Sequence, residues 1–180
     1  MAGRASGLGA DAASKNIDKS VFREAVLIQF TWPGNPTIYY GDEAGMVGFT
    51  DPDNRRTFPW GEEDTELIDF HRAMIRIHRE NRELRTGSVM KLVSDYAYLS
   101  YARMTLDAVS IIAVNNNDRT IEKAMSVWET GLPRTCHVKR LIQTDKMGHT
   151  TEPIEIDVVA GRLHVELPPH SAIVLRGEIR

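Results

Sequence analysis

The hydrophobic pattern of the chain changes near residue 85, from a helical period to a period of two. Beyond that point, short segments with strand-like patterns alternate with clusters of Gly, Pro, Asn and Asp. These segments are 89–92, 97–101, 109–114, 123–127, 137–142, 154–159, 163–167 and 172–175. Short strands with this spacing predict an antiparallel β-sandwich, and we place the start of that domain at residue 86.

Two helices are predicted before that boundary. The first begins at Asp18 or Ser20, either of which can cap it, and ends before Pro33. Its broad apolar surface requires neighbours on more than one side. The second runs over residues 62–81, with apolar residues three and four positions apart and charged residues on the other face. That amphipathic pattern predicts a helix that packs against a core.

A short apolar segment, residues 37–40, stands between the two helices. It has no polar alternation, which predicts a strand buried on both faces, as in a parallel sheet covered by helices. A loop with several glycines follows, at the strand end where α/β proteins bind ligands. A single βα unit cannot close a sheet. Residues 1–85 are therefore expected to be the last part of a larger α/β structure.

Composition excludes several classes of protein. The net charge of −3 gives no general electrostatic reason to expect a nucleic-acid or anionic-membrane partner. The single cysteine, Cys136, excludes an intramolecular disulfide and a multi-cysteine zinc site. No apolar run approaches the roughly 18 residues that span a bilayer. Residues 1–13 lack the apolar core of a secretory signal, so a cytoplasmic location is expected, although a signal segment of a longer protein would lie upstream.

Carboxylates are the main candidates for chemistry, and four of them cluster after the predicted strand: Asp42, Glu43, Asp51 and Asp53. An EF-hand calcium loop is disfavoured, because Arg55 stands at a ligand position and Arg56 at the position that needs glycine. The loop glycines match neither a P-loop nor a dinucleotide-binding pattern. No metal or cofactor is expected.

Sugar chemistry is compatible with the same loop. Glycoside hydrolysis uses two carboxylates that flank the scissile bond. Arg55 and Trp60 suit sugar recognition, because a planar guanidinium bonds to hydroxyl groups and an indole face can cover a pyranose ring. On chemistry alone, however, an acidic loop is more often solvated than catalytic, so both interpretations stay open.

The segment from Pro33 to Met46, followed by Asp51–Arg56 and Pro59-Trp60, resembles the eighth barrel strand and the next loop of the α-amylase family of glycoside hydrolases. It is most similar to the neopullulanase, cyclomaltodextrinase and maltogenic amylase group. The resemblance spans about residues 16–178. It implies the last βα unit of a (β/α)8 barrel within residues 1–85, followed by an antiparallel β-sandwich at 86–180.

The resemblance also implies roles for individual residues. Asp51 and Arg55 match positions that bind glucosyl units on the non-reducing side of the cleaved bond. Asp42, Glu43 and Trp60 are expected to support the barrel mouth. The family's three catalytic carboxylates belong to strand motifs that this sequence does not contain, and Asp11 is not preceded by the histidine of the seventh-strand motif. The chain alone is therefore predicted to be inactive.

The parent reaction implied by the resemblance is retaining hydrolysis of α-1,4-glucosidic bonds in an α-glucan or maltooligosaccharide. The alternative is a non-catalytic carbohydrate-binding or structural β-sandwich, although Trp128 is the only tryptophan in the strand region. The apolar segment 37–40 would lack its barrel neighbours in this chain. Self-association through the exposed barrel remnant is therefore also expected.

Overall fold

The computed structural model describes residue 15 and residues 17–179. The expectations for residues 1–14 and 16, including Asp11, lie outside the described residues. Three α-helices come first in the described part: α1 is Lys19–Thr31, α2 is Thr65–Glu80 and α3 is Arg82–Thr86. None of the described helices is long and apolar enough to cross a membrane.

The two predicted helices are confirmed, and each begins at a side-chain cap. Asp18 precedes α1 and accepts a hydrogen bond from the Ser20 amide at 2.8 Å. Asp64 precedes α2 and accepts one from the Leu67 amide at 3.2 Å. These carboxylates satisfy amide groups that have no partner in the first helical turn.

Nine strands follow in the described residues, and all eight predicted strands are among them. They are β1 Ser88–Asp95, β2 Tyr98–Met104, β3 Ala108–Asn115, β4 Ile121–Ser126, β5 Cys136–Asp145, β6 Gly148–Thr150, β7 Glu155–Val159, β8 Arg162–Leu167 and β9 Ser171–Glu178. The additional strand, β6, pairs with β5 directly after the turn expected at Met147-Gly148.

The predicted sandwich is in fact one continuous antiparallel sheet. Its strand order is β1-β2-β3-β9-β5-β7-β8-β4, with β6 attached to β5. The sheet curls until its two edge strands approach each other, and Lys123 of β4 donates to Asp95 of β1 at 2.9 Å. Sheet twist brings the edges together around one apolar interior, so side chains close the gap in place of a backbone ladder.

The central strand β3 is buried along its whole length, because each of its faces packs against a different apolar cluster. Ile111 points into the interior of the curled sheet, with Val138 and Leu163. Ile112 points to the outside, where Phe70 and the other apolar residues of α1 and α2 cover the sheet. The helices therefore share one apolar cluster with the outer face of the sheet, and the interior of the sheet holds the other. The division at residue 86 stays a prediction.

The predicted strand at residues 37–40 is not formed. Residues 37–39 have no regular secondary structure and residue 40 begins a turn, and Tyr39 and Tyr40 are 48% and 44% exposed. A strand needs a neighbour that can complete its hydrogen bonds, and none of the described residues pairs with this segment. Local apolar character alone therefore did not produce a strand.

Glu24 predicts a measurable pH dependence of stability. This α1 carboxyl is 3% exposed, and burial, with the nearby charge of Asp18, raises its pKa to about 8 from an ordinary 4.5. The folded state keeps a proton that the unfolded chain releases, so stability falls as pH rises from 4.5 to about 8. Glu24→Gln should remove this slope and stabilise the protein near pH 8 by more than about 1 kcal/mol.

Urea unfolding of both proteins near the two ends of this pH window measures the effect, with circular dichroism as the readout. An equal pH dependence of the free energy of unfolding in the two proteins would show that the raised pKa of Glu24 does not cause it.

Candidate functional site

The loop that carries the candidate sugar-binding residues is held by its own hydrogen bonds. The Tyr40 hydroxyl donates to the Arg56 carbonyl at 2.8 Å. Asp53 accepts from the Phe49 amide at 2.7 Å and from Arg56 Nη2 at 2.8 Å. The Phe49 amide, and then the Arg56 side chain, hold the pKa of Asp53 below its ordinary value. Asp53 is therefore an ionised organiser of the loop.

Asp51 and Arg55 lie together at the outer turn of this loop. Arg55 Nε donates to Asp51 Oδ1 at 2.7 Å, and both side chains are mostly exposed. An ion pair in contact with water adds little to stability. Its carboxylate and guanidinium groups are consequently available for the hydroxyl groups of a ligand.

Asp42 and Glu43 lie at the base of the loop. Glu43 Oε2 accepts from the Gly41 amide at 2.9 Å. Partial burial, reinforced by the Glu43 charge, raises the pKa of Asp42. Gly41 has φ +89°, and a Cβ there would lie 2.1 Å from Met46 Sδ, so the turn requires glycine. This geometry suits a supporting role for both carboxylates.

A cavity of about 640 Å³ opens beside Asp42, between the starts of α1 and α2 and the loop. Phe22, Tyr39 and Met46 contribute apolar walls. Lys19 and Asp64, which form an ion pair, contribute polar ones. Asp42, at the base of the loop, therefore lines a largely apolar cavity.

Trp60 is 82% exposed, and its ring packs on Phe58 with the centroids 4.6 Å apart. Among the contacts of the described residues, it does not join the Asp51–Arg55 pair. Its expected role at a barrel mouth is not tested by these contacts.

The end of α1, which leads into the loop region, is held by residues of the sheet. Arg103 of β2 is 1% exposed and donates to the Thr31 carbonyl at 2.7 Å and to the Gly87 carbonyl at 2.9 Å. The hydroxyls of Tyr101 and Thr31 lie 2.6 Å apart. Sequence reasoning missed this arrangement. A charged residue within a strand of apolar neighbours was the available signal.

Comparisons with known proteins place these features in context. The chain is 30% identical over 175 residues to an amylopullulanase from Thermoanaerobacterium saccharolyticum, a match that covers 91% of this chain and 13% of the relative. It is 40% identical over 97 residues to a cyclomaltodextrinase from Thermoanaerobacter pseudethanolicus, covering 53% of this chain and 17% of that relative. No protein-family model matches the chain.

The fold is similar to that of a solved α-amylase from Geobacillus thermoleovorans, complexed with acarbose. The TM-score is 0.77 at 25% sequence identity, over 89% of this chain and 34% of that one. The chain spans only 8% and 13% of the length of two amylopullulanases that it matches. It therefore corresponds to a small part of these relatives.

Proposed function

We propose a function from the premise that this chain is the C-terminal part of an α-amylase family protein. In this proposal, the protein that contains the chain cleaves α-1,4-glucosidic bonds with retention of configuration. The observation that carries the proposal is the match to an amylopullulanase over 91% of the chain. In this proposal, residues 33–81 complete the last βα unit of the catalytic barrel, and the sheet supports it.

Within that enzyme, the Asp51–Arg55 pair forms one wall of the substrate cleft. Its exposure and its position on a loop organised by Asp53 and Arg56 support this role. The planar guanidinium and the carboxylate together offer donors and acceptors to the hydroxyls of a glucosyl unit. Asp42, Glu43 and Trp60 support the barrel mouth. The catalytic carboxylates belong to the other strands of the barrel.

The exposed segment 37–40 supports a second part of the proposal. Tyr39 and Tyr40 are 48% and 44% exposed, and their rings pack against each other with the centroids 4.9 Å apart. In the proposed enzyme, neighbouring barrel strands cover this surface. In the chain alone it favours self-association, because large exposed apolar patches drive association in water.

The chain alone is expected to bind maltoheptaose weakly and to leave it intact. Catalysis of this class needs a nucleophile and a general acid on either side of the bond, and losing such a unit costs on the order of a million-fold in rate. Chromatography of the sugar after incubation measures cleavage, and a nitrogen-15 NMR titration measures binding. Amide shifts are expected at residues 51–56.

The double variant Asp51→Ala/Arg55→Ala is the control for binding, since both side chains are exposed and their loss leaves the core intact. It should lose the shifts at residues 51–56. Cleavage of maltoheptaose by the chain alone would contradict the predicted inactivity. Shifts at residues 51–56 that persist in the double variant would contradict the proposal that Asp51 and Arg55 form a wall of the substrate cleft.

A purely structural role for the sheet is the second candidate. The contacts of Arg103 and Tyr101 with the end of α1 favour it, because they hold the helix that leads to the proposed cleft wall. This role is compatible with the first proposal.

A further inference from the structure

The side of α2 that faces solvent carries opposite charges in its two halves. Asp69 lies in the first half, and its side chain is 64% exposed. Arg76 and Arg79 lie in the second half, and both are exposed. Among the described residues, no acidic group pairs with either arginine. We call this side the outer face of α2; its members are Thr65, Ile68, Asp69, Arg72, Ile75, Arg76 and Arg79.

Helical geometry divides the outer face into a charged flank and an apolar flank. Residues seven positions apart lie within about 20° of each other around a helix. Asp69 and Arg76 therefore share one flank. Ile68 and Ile75 share the other, where Ile75 is 36% exposed and Ile68 is half-buried. The helix thus presents one acid, one base and two apolar side chains in a repeating order.

A second copy of α2 complements this order when it packs in the antiparallel direction. A twofold axis beside Arg72 places a residue on one side of it opposite a residue of the same flank on the other side. Asp69 then faces Arg76 of the second copy, and the symmetry repeats the pair in reverse. On the other flank, Ile68 faces Ile75 of the second copy. One register therefore satisfies the charges and the apolar side chains together.

Arg72 is the group that works against this arrangement, because its two copies meet near the axis. Its Nη1 donates to Asp69 of its own helix at 2.9 Å, which draws the guanidinium towards the charged flank and weakens the repulsion. Arg79 lies opposite Thr65, beside the acidic segment that begins at Glu62. A single pair of helices buries less than the roughly 1,200 Å² of a standard interface, so a dissociation constant on the order of 0.1–1 mM is expected.

We propose that two copies of the chain associate through the outer faces of α2 in an antiparallel pair, with reciprocal contacts between Asp69 and Arg76. The acid on this face favours a second copy over a polyanion, because a polyanion would be repelled by Asp69. The outer face is distinct from segment 37–40, whose exposure supports association by a separate route.

Charge reversal of the full 180-residue chain tests the proposal. Asp69→Arg alone, or Arg76→Asp alone, places like charges opposite each other twice and should weaken self-association at least tenfold. A mixture of the two variants restores both attractive pairs, so the heterodimer should form with about the affinity of the parent chain. Nitrogen-15-labelled Asp69→Arg, titrated with unlabelled Arg76→Asp, should show amide shifts at residues 68–79.

The matched control is unlabelled Arg119→Asp, in which an exposed arginine outside α2 undergoes the same change of charge. It reproduces any non-specific attraction between the two chains but leaves Arg76 in place. It should therefore shift the labelled residues 68–79 at least tenfold more weakly than Arg76→Asp does. The amide spectrum of each labelled variant shows whether its fold is intact.

Dilution of the parent chain and of Arg76→Asp gives a second measurement, which does not depend on Asp69→Arg. The amides of residues 68–79 should shift on dilution of the parent chain and stay constant in the variant. Equal shifts with Arg76→Asp and Arg119→Asp, or no shifts at residues 68–79, overturn the proposal. Shifts confined to residues 37–46 also overturn it, and they leave association through the exposed segment 37–40 standing.

Discussion

Replacing Arg103 by alanine is expected to lower the free energy of unfolding by about 3–5 kcal/mol. The Arg103 side chain is almost fully buried and donates to the carbonyls of Thr31 and Gly87. Thr31 is the last residue of α1 and Gly87 follows the last residue of α3, and carbonyls at helix ends lack partners within the helix. The alanine variant removes the donor from the buried Thr31 carbonyl and from the partly buried Gly87 carbonyl, and it adds a cavity. Urea unfolding followed by circular dichroism measures the loss.

Two control variants make this prediction specific. Arg103→Lys keeps a cation but cannot reach two carbonyls with a planar fork, so an intermediate loss is expected. Arg119→Ala removes an exposed arginine and should change stability by less than about 0.5 kcal/mol. A loss below about 1 kcal/mol for Arg103→Ala would show that the buried guanidinium does not support the helix ends.

The second large effect is expected from Ile112→Ala, which should cost about 2–5 kcal/mol. Ile112 is fully buried and faces the cluster that α1 and α2 share with the sheet. Its neighbour Ile111 is equally buried but faces the interior of the curled sheet. Ile111→Ala is therefore a matched control with the same residue, strand and burial. It should cost a similar amount of free energy.

The two variants should differ in which elements exchange their amide hydrogens faster. Hydrogen exchange is expected to accelerate in α1 and α2 for Ile112→Ala, because the cavity lies beneath these helices. Ile111→Ala should leave helix exchange closer to that of the parent chain. Equal acceleration of both helices in the two variants would contradict the assignment of separate clusters on the two faces of β3.

The sequence predicted local elements well where the pattern is long and repetitive. The charged face of α2 and the short strands beyond residue 85 could be predicted because side-chain periodicity reports which face is buried. Strand β6 was missed because it has only three residues, too few to carry a pattern. The strand order could not be predicted, since pairing depends on contacts between residues far apart in the chain.

The candidate site was predicted in part. Asp51 and Arg55 were selected by resemblance, and they form an ion pair, although their role stays a prediction. Glu24 was passed over because a glutamate on a helix is usually solvated. Its burial depends on the sheet that covers α1, which no local pattern reveals.

The sequence by itself determined the two long helices, eight of the nine described strands and the resemblance to the family, because these depend on local periodicity and on a long ordered motif. Only the tertiary structure decided that the strands join into one curled sheet and that residues 37–40 remain unpaired. It also decided that Arg103 lies beneath the end of α1. The physical reason is the same in each case: hydrogen-bond partners and burial are supplied by residues distant in the chain.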